Sequence, residues 1–451
     1  MKKTLLVLTA GVALFSFSCK KDSTTPDKTT TDTTKVTVNP TPTVAVTTED
    51  LAKTTAENKA KMETAGVDFI NELRSIKDTK AGGAIKSLTG LGSGSTTKSY
   101  LVTGNKLPIA KLLKSLMSGS TTSTLKSLKG SVPEANFQSE IAKIAATYTY
   151  NFATEKFDSS AAVSANVLKV LFPGKEGDVT NTGEFKVYNM SFTTVPTSNS
   201  LYTTSNAITS CNAYLKVDGV DAMTYSLTAA YDAKGLPTTI ATSFTVDAFS
   251  FNYNYAYTSA KLTSDMSIKH NATILIAQGV EVNGTITETK AKELETYYKD
   301  STITHGAAKV SEFATTGIVY YQMMDVKIIG SIDVVKFANA FDALTQTDKD
   351  TFNAADCAVL NNSCALYGIF ASTQKKIADV SIYAKSQDVL DYYDVPTGET
   401  ETVEAFWLTF PDGSKVDAEA YFTAANFSTL QTEIDKFKDE VNPPASTPAA
   451  Q

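Results

Sequence analysis

The sequence has 451 residues, enough for one large domain or for two or three ordinary ones, and 42% of them are hydrophobic. Its net charge of -7 at pH 7 argues against nucleic acid as the main partner. Only two histidines are present, which excludes most chemistry that depends on a histidine cluster.

The first residues have the organisation of a bacterial signal peptide. Lys2 and Lys3 form a positively charged start, and residues 5–17 form an apolar segment that is too short to span a bilayer. Ser18 directly precedes Cys19, and Lys-Lys-Asp follows Cys19. This pattern resembles the lipobox of bacterial lipoproteins, and the residues after the cysteine resemble lipoproteins of the Bacteroidota.

The resemblance covers residues 1–22 only. It implies that the mature chain begins at Cys19, which carries acyl chains such as palmitate. It also implies a lipid-anchored protein of the outer membrane that faces the periplasm or the cell surface. Several acyl chains are what stable anchoring requires. The alternative is an ordinary secretory peptide with an unmodified cysteine at this position.

Composition divides the chain into five parts. They are a signal peptide at 1–18, an acylated Thr/Pro-rich disordered tether at 19–47, a helical Lys-rich low-complexity region at 48–133, an α+β body at 134–441, and a disordered tail at 442–451. Charge follows the same division, since residues 1–132 hold 19 basic and 10 acidic residues and the remainder holds 22 and 38. The basic part could rest on anionic lipid headgroups or could simply be a solvated tether.

A helix is predicted near residue 48, where Thr48 can act as its N-cap and Met62, Phe69 and Leu73 recur at helical spacing. Residues 80–131 then contain eight lysines and no acidic residue. This stretch predicts either a contact with a membrane surface or a polyanion, or a flexible connector.

From about residue 140, apolar and polar residues alternate in a way that is typical of strands with one covered face. The alternation predicts a meander of antiparallel strands with turns at Val217-Asp218-Gly219, Asp232–Pro237 and Pro411-Asp412-Gly413. Residues 317–329 are predicted to form one strand. Helices are predicted from Thr287, over 332–344, and over Phe427–Val441, the last with a capping box of Ser428 and Gln431.

Three cysteines follow Cys19. Cys357 and Cys364 could close a small disulfide loop, remain free thiols, or bind a metal, and the oxidising periplasm or cell surface permits the first. Cys211 lies on the apolar side of its predicted strand and is interpreted as a buried thiol.

Motifs for metal, nucleophilic and phosphate chemistry are not apparent. The sequence contains no His-Glu-x-x-His, Cys-x-x-Cys, EF-hand or Gly-x-Ser-x-Gly pattern. His270 is predicted to be a core or strand-end residue, and His305 is predicted to lie in a loop. We therefore expect no cofactor, no metal and a non-enzymatic role. The alternative is a carboxylate pair of the kind used by glycan hydrolases among the 48 acidic residues.

The most suggestive candidate site is an aromatic strand formed by Phe249, Phe251, Tyr253, Tyr255 and Tyr257. These side chains share one face, which could line an apolar groove or could simply be covered by helices. Trp407, the only tryptophan, points away from its strand neighbours and is either a contact residue or partly covered by the last helix.

The sequence thus predicts an α+β fold with a large antiparallel sheet and packed amphipathic helices. We expect a lipid-anchored envelope protein with a non-enzymatic binding or structural role, whose partner is an apolar ligand or an envelope protein. The alternatives are a carrier or sensor of an apolar ligand on the aromatic strand, and a carboxylate-based glycan hydrolase.

Overall fold

The computed structural model describes residues 55–75, 79–90, 145–162, 164, 166–196, 204–299, 306–344, 353–390 and 396–441. Several predictions lie outside these residues: the signal peptide, Cys19, the tether, the cap at Thr48, most of the Lys-rich stretch, His305 and the C-terminal tail.

The described strands form a single sheet of 16 strands. They are β1 Ala146–Asn151, β2 Lys156–Ala161, β3 Leu168–Phe172, β4 Gly183–Pro196, β5 Thr204–Val217, β6 Val220–Tyr231, β7 Pro237–Val246, β8 Phe249–Tyr257, β9 Lys261–His270, β10 Thr273–Gly284, β11 Ala314–Met323, β12 Val326–Asp333, β13 Cys364–Phe370, β14 Lys375–Leu390, β15 Pro396–Thr409 and β16 Lys415–Asp417.

The described helices flank this sheet. They are α1 Thr55–Arg74, α2 Lys80–Gly90, α3 Glu288–Lys299, α4 Ala308–Ser311, α5 Val334–Asp342, α6 Ala354–Ser363, α7 Ala418–Tyr421 and α8 Ser428–Val441. Thr287 caps α3 as predicted, since its hydroxyl accepts the N–H of Lys290 at 3.2 Å.

The predicted antiparallel sheet with packed helices is confirmed. From β3 to β16 each strand pairs in antiparallel fashion with the next one along the chain, which gives a continuous meander. The β5–β6 turn is tight because Asp218 and Gly219 adopt φ angles of 52° and 77°. The one exception is β1, which pairs in parallel with β3 and antiparallel with the edge strand β2.

The prediction of a single strand over residues 317–329 is wrong. β11 ends at Met323 and β12 begins at Val326, and Met324 between them has a φ of 51°. Apolar residues flank this turn on both sides, and no glycine or proline marks it. The sequence pattern therefore does not reveal the turn.

Three hydrophobic clusters of the described residues lie on one face of the sheet, which we call the covered face. Leu88 of α2 packs in the first cluster with Phe185 and Leu215, and α1, α7 and α8 contribute to the second around Phe370. α3 contributes to the third around Leu262. The registers of β5–β9 place Ser, Thr, Asn, Lys and Tyr side chains on the opposite side, which we call the polar face. In β10–β13 this face also carries the buried apolar residues Ala277, Ile329 and Ile369.

α1 and α2 come from the region predicted as Lys-rich and helical, yet they pack on the sheet. Arg74, the only arginine in the sequence, ties α1 to α8 by donating to Glu433 at 2.9 Å and to Glu440 at 3.1 Å. α1 and α2 therefore belong to the same core as the strands.

The start of α8 is held differently from the predicted capping box. The Glu63 carboxylate on α1 accepts the backbone N–H of Thr429 at 2.8 Å, and the Gln431 side chain donates to Asp435. A carboxylate at a helix N-terminus satisfies backbone donors that have no partner within the helix.

Candidate functional site

The aromatic strand predicted as a ligand face is β8, and its five aromatic side chains lie on the covered face. Phe249 is buried and stacks on His270 with ring centroids 4.4 Å apart, and Phe251 packs against the first hydrophobic cluster. Tyr255 and Tyr257 pack against the third cluster. Helix-covered clusters thus occupy both ends of the strand, and Tyr253 lies between them.

The predicted disulfide loop is absent, since Cys357 and Cys364 are both free thiols. The segment forms α6 instead of a loop, and Asn353 and Asp356 build a capping box at its start. The two cysteines are seven positions apart, with six helical residues between them, and a helical rise of 1.5 Å per residue separates them by about 10 Å, which is beyond the reach of a disulfide. Burial raises the pKa of each thiol to about 11, so neither is an activated nucleophile.

Cys211 is buried, as predicted, and burial raises the pKa of its thiol to about 12. His270 is the last residue of β9, as predicted, and its Nδ1 contacts a carboxylate oxygen of Glu72 on α1. Among the described residues, no group of three or more His, Cys, Asp or Glu side chains could hold a metal ion.

Two carboxyl groups of the described residues have a clearly raised pKa. Burial raises the pKa of Asp265, against the effect of a hydrogen bond from Asn254 at 3.0 Å, and burial also raises the pKa of Glu404. The registers place Asp265 on the polar face of β9 and Glu404 on the covered face of β15. These two groups therefore do not form the convergent pair that a glycan hydrolase requires.

The polar face carries a repeated pairing of lysine with an aromatic ring that the sequence analysis missed. Each lysine ammonium lies over a ring at a distance that allows a cation–π interaction. The distances from ammonium to ring centroid are 5.1 Å for Lys186 and Tyr188, 4.8 Å for Lys216 and Tyr214, 4.2 Å for Lys327 and Tyr320, and 4.9 Å for Lys415 and Trp407.

Trp407 therefore points to the polar face, away from the hydrophobic clusters. It stacks on Tyr383 with ring centroids 4.6 Å apart and rings inclined by 24°. The Tyr383 hydroxyl donates to Asp417 on β16, which holds this aromatic pair in place. The pair lies near one edge of the sheet.

The middle of the polar face has a different character, because its polar groups are buried. The ring of Tyr320 lies across Gly279 on the neighbouring strand, where a Cβ atom would stand only 2.4 Å from the ring carbon Cε1. Lys327 lies over this ring and is only 6% exposed. Asp265 is the direct register partner of Gly279 on the other side.

The electrostatics of this central group follow from its burial. Burial, with the nearby Asp265 charge, raises the pKa of Tyr320 to about 12, and burial alone lowers the pKa of Lys327. No described carboxylate forms an ion pair with Lys327. We take Asp265, Gly279, Tyr320 and Lys327 as the central group of the candidate site.

No protein-family model, curated protein or solved structure matches this chain. The fold and the site are therefore interpreted from their own geometry. Among the described helices, none combines the length and the apolar character needed to cross a membrane.

The sequence did contain one signal for the central group. Lys327 interrupts the apolar run Val326–Ile329, in a strand whose other interior residues suit a core. A lone charge inside an apolar strand is usually a solvated side chain, and only the fold shows that this one is buried.

Proposed function

We propose that this chain is a lipid-anchored envelope protein that acts by binding, with the polar face of its sheet as the binding surface. The residues around Cys19 support the anchor, and the resulting location is the outer membrane, facing the periplasm or the cell surface. The ligand is polar, since hydroxyl, amide and charged side chains line much of this face.

The observation that carries the proposal is the set of four lysine–aromatic pairs on the face that the hydrophobic clusters leave free. The rings of three pairs, Tyr188, Tyr214 and Trp407, are partly exposed, and tyrosine, tryptophan and cationic side chains are the ones that dominate binding surfaces. Residues that depart from what folding requires are often retained for function.

The anchor is tested in living cells. The Cys19→Ser variant should lose incorporation of labelled palmitate and should leave the membrane fraction, since the remaining sequence offers no second acylation signal of this kind. Retention of the label in the variant would contradict the proposed anchor.

The surface is tested with the full mature chain carrying Cys19→Ser, by co-sedimentation with envelope preparations of its host. Ser267 lies on the polar face of β9, and Gln278 lies on the covered face of β10 where it is exposed. Ser267→Glu should reduce sedimentation at least tenfold through steric and charge repulsion, whereas Gln278→Glu should leave it unchanged. Equal sedimentation of both variants would refute the polar face as the binding surface.

A second candidate is a carrier of an apolar ligand on the covered face. Tyr321 and Ile328 are 44% and 46% exposed, and they share this face with Tyr253. Native mass spectrometry of the protein gently purified from its host tests this role. A reproducible mass excess that is released by organic solvent would favour the carrier, and a clean apo mass would argue against it.

A further inference from the structure

Lys327 is the most buried of the four described lysines that lie over aromatic rings on the polar face. It is 6% exposed, whereas Lys415 over Trp407 is exposed and the other two are half-buried. Removing an ammonium group from water is unfavourable unless a counter-charge compensates it. The fold therefore holds a cation at the centre of the polar face without a described carboxylate to neutralise it.

The Tyr320 ring offsets only part of this cost. A cation–π contact stabilises a desolvated ammonium by less than the cost of removing it from water. The ring lies against Gly279, where a Cβ atom would stand 2.4 Å from its Cε1 carbon and would displace it. The site is thus prepared for a further interaction that compensates the remaining charge.

An anionic group is the chemistry that compensates a buried ammonium. The whole chain is acidic, with a net charge of -7, and repels a dense polyanion at long range. A suitable ligand must supply an anion to Lys327 and must not be repelled by the acidic chain. A ligand with isolated carboxylate or sulfate groups meets both conditions, since each group needs only one local cation. Nucleic acid, whose charges are closely spaced, does not.

We propose that Lys327, positioned by Tyr320 over Gly279, binds a single anionic group, a carboxylate or a sulfate, of a ligand that lies on the polar face. This inference rests on the proposed binding function and names the chemistry of its central contact. Asp265 and Asn254 lie on the same face, one and two strands away from Gly279, where they can bond hydroxyl groups of the same ligand.

The test uses the full mature chain with Cys19→Ser and with isotope-labelled lysines, observed by NMR at the ε-methylene groups. The Lys327 resonance is assigned by its loss in Lys327→Met, and the Lys415 resonance by its loss in Lys415→Met. Sodium glucuronate, sulfate and phosphate are the probes, and glucose is the neutral control. Lys415 is the matched control residue, because it makes the same type of ring contact but is exposed.

The expected result is a saturable shift of the Lys327 resonance with glucuronate or sulfate, no shift with glucose, and no saturation at Lys415. A shift with glucuronate but not with sulfate identifies a carboxylate ligand, and a shift with sulfate but not with glucuronate identifies a sulfated one. A response to phosphate alone would contradict the proposed ligand chemistry. Absence of any shift, or an equal unsaturable drift at both lysines, would overturn the inference.

Two further variants keep the outcome decisive. Lys327→Arg retains the charge and should retain binding within about tenfold, whereas Gly279→Ala should weaken binding by moving the Tyr320 ring. Failure of this inference leaves a separate signature from failure of the proposed function. If the Lys327 resonance does not shift with any probe while Ser267→Glu still reduces envelope binding, the anion site is refuted. The polar face then still stands as the binding surface.

Discussion

Gly284 at the end of β10 offers the sharpest test of the sheet geometry. A Cβ atom on this residue would stand 2.1 Å from the carbonyl oxygen of Phe313, 2.7 Å from Cα of Ala314 and 2.9 Å from the carbonyl carbon of Phe313. All three are backbone atoms of the segment that enters β11. The Gly284→Ala variant therefore cannot be accommodated by turning a side chain.

The size of the effect follows from these distances. The nearest contact must open by about 1 Å, since carbon atoms of this kind rarely approach closer than 3.0 Å. Overpacking of a well-packed site costs about 1–3 kcal/mol. Because the backbone must move and the Gly284 N–H bond to Ala260 at 3.0 Å would be strained, we expect about 3 kcal/mol of destabilisation.

Urea unfolding, followed by far-UV circular dichroism and by fluorescence of Trp407, measures this change. The control is Gly83→Ala, because Gly83 lies on the exposed side of α2 with nothing within 4 Å of the added atom. Alanine in a helix interior is favoured over glycine by about 1 kcal/mol, so the control should be slightly stabilised. A Gly284→Ala variant as stable as the parent chain would refute the pairing of β10 with the entry to β11.

Three further predictions address the core, the site and the thiols. Leu88→Ala should cost about 2–5 kcal/mol in urea unfolding, since Leu88 is 1% exposed, and a loss near zero would show that α2 does not pack on the sheet. Asp265 has a folded pKa raised above its ordinary value of 3.8, so its contribution to stability falls as pH rises through the window above 3.8. Asp265→Asn should therefore flatten that part of the pH dependence and unfold at higher urea near neutral pH, and a steeper dependence would contradict it. Ellman's reagent should detect three thiols in the unfolded Cys19→Ser chain. A count of one would show that Cys357 and Cys364 form a disulfide.

Local patterns in the sequence were enough to predict most of the sheet. Alternating side chains fix which face of a strand is apolar, and Asp218-Gly219 supplies the positive φ angles of a tight hairpin. The helix over Val334–Asp342 could be predicted because Val335, Ala338 and Phe341 recur at helical spacing, and the structure adds Asp333 as its N-cap. These signals act over a few residues and need no knowledge of the rest of the chain.

The errors arise where the decisive contact is distant or the local signal is weak. The turn at Met324 lacks a glycine or proline, and the helix around Cys357 was read as a loop because the capping box of Asn353 and Asp356 went unnoticed. The cap of α8 comes from Glu63, more than 360 residues away in the sequence. No periodicity reveals such a pair.

The same reason explains why the candidate site was missed. The sequence drew attention to β8, whose aromatic residues are close together, but helix-covered clusters occupy both ends of that strand. Lys327, Tyr320, Gly279 and Asp265 come from four strands and meet only through their register. The polar face as a unit exists only in the folded sheet.

The most direct test of the polar face as the binding surface is photo-crosslinking in the native cell with the complete lipidated chain. A benzophenone side chain is placed at Ser226 or Ser267 on the polar face, and at Gln278 or Tyr321 on the covered face. We expect a discrete adduct from the polar-face positions, suppressed in the Lys327→Met background, and none from the covered face. Adducts that form only from Gln278 or Tyr321 would contradict this account and would favour the apolar carrier.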